Sequence, residues 1–164
     1  MSARFQELLA ASPVILGEGA VIERLRRMAD IQLDDQVVNS ALIYQDKGRA
    51  ALAAIYRQYL DIGRRYTLPL LVSTPTWRAG RDRIALAGLA GRDVNGENTR
   101  FLAELRDSYA GYAQQVAICG LMSCRGDAYR PAEAMTTQAA AGFHAWQSDA
   151  LAAAGVDLLL AATL

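Results

Sequence analysis

Four short runs constrain this chain more than anything else in it: "PVILGEG" (13–19), "LPLLVSTPT" (68–76), "QVAICGLMS" (115–123) and "VDLLLAATL" (156–164). None alternates polar with apolar residues. A strand with one face in water must alternate, because successive side chains point to opposite faces. Unbroken apolar runs of this length suit strands covered on both faces, as in parallel sheets. Parallel strands need long crossovers, and helical patterns lie between the runs. In "AALAAIYRQYLDIGRRY" (50–66), Leu52, Ile55, Tyr56, Tyr59 and Ile62 recur on one face. In "NTRFLAELRDSYAGYA" (98–113), Phe101, Leu105, Tyr109 and Tyr112 do the same, with Glu97, Arg100 and Glu104 spaced for ion pairs outside. A third helix spans 136–154, with Phe143, Trp146, Ala150 and Leu151 inward. Asn95 is a candidate cap for the second helix. Gly155 is a natural stop for the third, since the residue after a helix often takes a positive φ. Strand and helix alternate throughout. The chain is therefore α/β with right-handed crossovers, either an open doubly wound sheet or part of a (β/α) barrel.

Composition narrows the partners. Lys and Arg number 17 against 17 Asp and Glu, so no basic stripe points to nucleic acid and no acidic tail to a solvating segment. No segment approaches the roughly 18 continuous apolar residues of a membrane span, and the N-terminus lacks a signal-peptide core. These features, with two cysteines suited to a reducing compartment, predict a soluble cytoplasmic protein. At 164 residues the chain is long enough for one domain, 1–164. The first turn, "GEGAVIERL", has Gly17 and Gly19 but lacks the third glycine of a dinucleotide-binding loop.

In parallel α/β folds ligands gather at the carboxyl ends of the strands. Those ends carry Glu18 after the first run, Thr74, Thr76 and Trp77 after the second, Ser123 and Cys124 after the third, and Ala162 and Thr163 in the fourth. Glu18, flanked by glycines, is either a carboxylate for a cationic ligand group or a loop-facing acid. Trp77 is either a ligand wall or core. His144, alone in mid-helix between Phe143 and Trp146, lacks an orienting partner and is structural. Cys119 and Cys124 have no nearby histidine or further cysteine, whereas zinc wants three or four ligands. No nucleophile–His–acid set, phosphate loop or metal-binding helix is present, so no catalytic residue or metal ligand is assigned to this chain.

Taken in order, these motifs resemble the homocysteine S-methyltransferase family. "VILGEGAVIERL" is similar to the family's opening strand, where an Asp-Gly-Gly precedes a Thr-Glu-Leu helix start. "LPLLVSTPTWRA" resembles the second strand, ending in Thr-Asn-Thr-aromatic-x-Ala, and "ICGLMSCRGDAY" the third, Gly-Ser-x-Gly-Pro-x-Gly. "FHAWQSDALAAAGVDLLLAATL" resembles the helix and fourth strand, which ends in Glu-Thr. Glu18 stands for the family Asp, Ala20 for its second glycine, Pro75 for its Asn and Cys124 for its Pro. Ala162 stands where the family has Glu, and that Glu and the first-strand acid face the amino group of homocysteine.

The resemblance implies a TIM (β/α)8 barrel of nearly twice this length, of which this chain is the N-terminal half, about four βα units. It implies methyl transfer from a small-molecule donor to a thiol acceptor, homocysteine to methionine. The family's zinc, which activates the thiolate, is held by three cysteines at positions that would lie beyond Leu164, so this half alone is expected to be inactive. Glu18, Thr74, Thr76, Trp77 and Thr163 would line the acceptor pocket. Two other readings stand beside this one. One is a diverged (β/α) barrel with another acceptor, suggested by Ala162. The other is a non-catalytic half barrel whose open strand edges pair with a missing C-terminal half or with another copy.

Overall fold

A computed structural model describes residues 1–127 and 129–162. The four apolar runs form its strands: β1 (Leu16–Gly17), β2 (Leu70–Ser73), β3 (Val116–Met122) and β4 (Leu158–Ala161). All pair in parallel, in the spatial order β1-β2-β3-β4. A doubly wound sheet reverses its strand order at a switch point. Among the described residues no reversal occurs, so the winding is the sequential kind. The helices are α1 (Ala3–Ala11), α2 (Val21–Arg26), α3 (Asp46–Tyr66), α4 (Arg81–Leu86), α5 (Val94–Asp107) and α6 (Thr137–Ala153).

Register and pleat divide the sheet into two faces. Leu16, Leu70 and Val116 stand in line, and Val72 stands beside Ile118. Leu70, Val72, Val116 and Ile118 bury against Leu52, Ile55, Tyr56 and Leu60 of α3 and against Phe101, Leu102 and Leu105 of α5. Burying each such side chain contributes about 1.5–3 kcal/mol. Gly120 lies on this same face. A Cβ there would sit 2.9 Å from Leu159 and 3.1 Å from Leu151, so the glycine lets α6 close onto the sheet. The other face carries Gly17, Leu71, Ser73, Ala117, Cys119, Leu121, Leu158 and Leu160. Toward the β4 edge this face meets solvent: Leu160 is 44% exposed.

Several helix details differ from the sequence expectation. Ile62 is exposed, and Leu60 and Gly63 take the inward positions of α3. Gly63 is inward because the Tyr112 hydroxyl, which donates to the Leu68 carbonyl at 2.8 Å, occupies the space a Cβ would need. Trp146 lies at the surface of α6, and Gln147 is buried instead. Asp93, not Asn95, caps α5: its Oδ1 accepts from the Gly96 amide at 3.0 Å. Arg100 pairs with Asp93, Glu97 with Arg92, and Glu104 with Arg49. Gly155 does adopt the positive φ, +86°, expected of a stop after α6.

Ser2 fastens α1 beneath the sheet. Its hydroxyl donates to Asp157 Oδ1 at 2.5 Å and accepts from Phe5 N–H, capping the helix. The second Asp157 oxygen accepts from the Ile118 amide at 2.8 Å, so one carboxylate joins α1, β3 and the start of β4.

Candidate functional site

The carboxyl ends of the strands surround a cavity of about 340 Å³. Glu18 follows β1, Thr74 and Trp77 follow β2, Leu121 belongs to the end of β3, and Ala162 follows β4; each contributes to its wall. The start of α2, Asn39 and Tyr56 complete it.

Glu18 is the chemically distinctive group. Its Oε2 accepts a hydrogen bond from the Ser73 amide at 2.8 Å, which holds it against the end of β2. Burial pushes its carboxyl up to about 8, only partly offset by that hydrogen bond. Glu18 is thus mostly protonated at neutral pH in the free protein. A cationic group arriving beside it would favour the ionised form and expel the proton. The flanking glycines differ in role. A Cβ at Gly19 would come within 2.8 Å of the Tyr59 hydroxyl, whereas one at Gly17 meets nothing.

The two threonines are structural neighbours of the cavity. Both are fully buried. Their hydroxyls lie 2.6 Å apart; Thr76 donates to the Leu121 carbonyl at 2.8 Å, and Thr74 accepts from the Leu121 amide at 3.1 Å. The pair stitches the end of β2 to β3. Thr74 reaches the cavity wall, while Thr76 stands behind it. Trp77 is half-buried on the wall, with the Arg78 guanidinium 4.8 Å from its ring centroid. Arg78 also donates to the Gly126 carbonyl at 2.9 Å, joining the loops after β2 and β3. Thr163 lies outside the described residues. Ala162 lines the cavity and its amide donates to Met122 at 3.0 Å.

Beneath these loops lies a polar cluster that the sequence reading missed. Gln147 donates to the Thr76 carbonyl at 2.9 Å and to Asn95 Oδ1 at 3.1 Å, and Asn95 donates to the Ala79 carbonyl at 3.0 Å. Ser40 donates to the Pro75 carbonyl at 2.6 Å, and Asn98 donates to the Ser40 carbonyl at 3.0 Å. A signal existed for Gln147: it falls four residues after Phe143 and four before Leu151, on the inward stripe of α6. Asn39, just past a loop with no periodicity, gave none.

A model of the family described as homocysteine S-methyltransferase matches residues 15–164, all four strands and the whole cavity wall included. The chain belongs to the homocysteine S-methyltransferase family. No curated protein and no solved structure matches it.

The described residues do not fit the zinc of this family. Among the described residues no group of three or more His, Cys, Asp or Glu is placed to hold a metal. Cys119 is sealed inside β3, where burial and then the Glu18 charge push its thiol up to about 12, far from the thiolate a metal requires. Cys124, in the loop after β3, donates its thiol to the Gly126 carbonyl at 3.2 Å. His144 packs edge-on against Phe143, with ring centroids 5.0 Å apart. No helix among the described residues is long and apolar enough to cross a membrane.

Proposed function

We propose that this chain, as one domain over 1–164, supplies the acceptor-binding part of a thiol S-methyltransferase, with homocysteine as the thiol and methionine as the product. The observation that carries this reading is the cavity itself. In a chain of this family, a largely desolvated carboxyl just after β1, an aromatic wall after β2 and the end of β4 meet at the carboxyl ends of four parallel strands. That is the end of the sheet where such folds bind ligands. In the reaction the acceptor sulfur, having lost its proton, attacks the donor's methyl carbon. The new S–C bond forms as the bond from methyl to donor breaks, its electron pair leaving with the donor. Glu18 and Trp77 orient the acceptor, and Thr74 fixes the strand end on which Trp77 stands. Any metal chemistry of the family draws its ligands from polypeptide other than the described residues.

The same reading treats the four βα units as half of a (β/α) barrel. Its support is the sequential strand order and the apolar, half-open face that ends at Leu160. An edge strand with exposed leucines invites pairing, so the half barrel is closed by further βα units or by a second copy. Titration calorimetry of the chain with L-homocysteine tests the pocket. Saturable binding that is weakened by Trp77→Ala is the expected result, and absence of binding would remove the reading. Mass spectrometry for methionine, with a methyl donor added, tests turnover separately; this chain alone is expected to bind without turning over.

A further inference from the structure

The cavity offers hydrogen-bond acceptors but no uncommitted cation. Arg26, the basic residue on its wall, is paired with Glu23. Two of the acceptors on its wall stand apart. One is the Glu18 carboxyl. The other is Asn39, which is only 3% exposed, lines the cavity, and has a buried side-chain oxygen with no hydrogen-bond partner. Buried polar atoms are almost always satisfied, because leaving one unpaired forfeits its hydration without return. An orphaned acceptor on a cavity wall is therefore a place where a ligand's donor belongs.

The surrounding backbone holds Asn39 in that place from both sides. Val38 before it takes a φ of +54°, rare for a β-branched residue. Asp34 and Val38 exchange two backbone hydrogen bonds, 3.1 and 3.0 Å, and Asp34 Oδ1 accepts from the amides of Gln36 and Val37. On the other side Ser40 is buried and bonded to Pro75 and Asn98. Both neighbours of Asn39 are committed, and its own amide oxygen is left unspent.

We propose that Asn39 determines specificity in the acceptor pocket: its amide oxygen and the Glu18 carboxyl together receive the N–H donors of a primary amino group on the acceptor. This rests on the acceptor-pocket reading above. An ammonium group brings three donors. One carboxyl that ionises on binding and one neutral amide oxygen serve two of them without placing two like charges in the same apolar pocket. The second polar contact is thereby assigned to Asn39, in the segment before α3.

The test uses the full chain and two thiols, L-homocysteine and 4-mercaptobutanoate, which lacks the amino group. Asn39→Ala is expected to weaken homocysteine about tenfold, the loss of one hydrogen bond to a charged group, and to leave 4-mercaptobutanoate within about twofold. Because the lost oxygen has no partner in the free protein, the melting midpoint of Asn39→Ala should hold or rise; a purely structural asparagine would lower it. Equal weakening of both thiols, no weakening of either, or a lowered midpoint would overturn the assignment while the pocket stands. Failure of the unmutated chain to bind either thiol would remove the pocket and this assignment together.

Discussion

Glu18→Gln isolates the most unusual group in the molecule. The folded chain holds the Glu18 proton up to about pH 8, whereas an ordinary carboxyl loses it near 4.5. Between those values the folded state binds about one proton more than the unfolded state, so stability must fall as pH rises. The slope depends on the proton count and not on the size of the shift: about 1.4 kcal/mol per pH unit. From pH 5.5 to 7, well inside the window, Glu18 therefore removes about 2 kcal/mol of stability. Gln keeps a carbonyl oxygen for the Ser73 amide and cannot ionise. Urea unfolding of both proteins at pH 5.5, 6.25 and 7 measures the difference, and every other titrating group cancels between them. The glutamine variant should gain on the unmutated chain by about 2 kcal/mol across this range. Parallel pH dependences would refute the reasoning, since Glu18 would then ionise like an exposed acid.

The same proton appears in binding. At pH 7 a primary amine that ionises Glu18 should release about 0.9 proton, measured by calorimetry in buffers of different ionisation enthalpy; release should vanish in Glu18→Gln. Gln147→Ala strands Asn95 Oδ1 in the interior and leaves the Thr76 carbonyl with the Ala79 amide alone. Its cost should be about 1–3 kcal/mol by urea unfolding, and a change below about 0.5 kcal/mol would mean that water takes the amide's place.

The strands were legible as unbroken apolar runs, and all four runs became strands; burial on both faces explains the run at β3, whereas Leu159 and Leu160 of β4 stand largely exposed. Their lengths were not legible. The run 13–19 keeps only Leu16–Gly17 in the ladder, since among the described residues β1 pairs with β2 alone. Helix faces were readable where the partner is the sheet, as at Leu52 and Phe101. They misled near helix ends and on the alanine-rich α6, where Ile62 and Trp146 have little left to pack against. Glu18, Thr74 and Trp77 were reachable from sequence because strand ends are a fixed location in such folds. Asn39 was not, because its position depends on the Asp34–Val38 turn, which has no period to detect. The threonines illustrate a different limit: sequence placed them near the cavity, but only the hydrogen bonds show that their hydroxyls face each other and β3.

The Asp157 carboxylate has a consequence for how this chain matures. Ser2 and Asp157 are 155 positions apart. On a ribosome adding about 5–20 residues per second, the first helix waits roughly 10–30 s for the residue that receives it. Until then the Ser2 hydroxyl has no carboxylate to donate to, and β3 lacks the one that accepts its Ile118 amide. Ser2 and Asp157, far apart in sequence, therefore come together in one late event. Disturbing Ser2 should slow or loosen the dock of β4, an effect visible as faster amide exchange at Ile118.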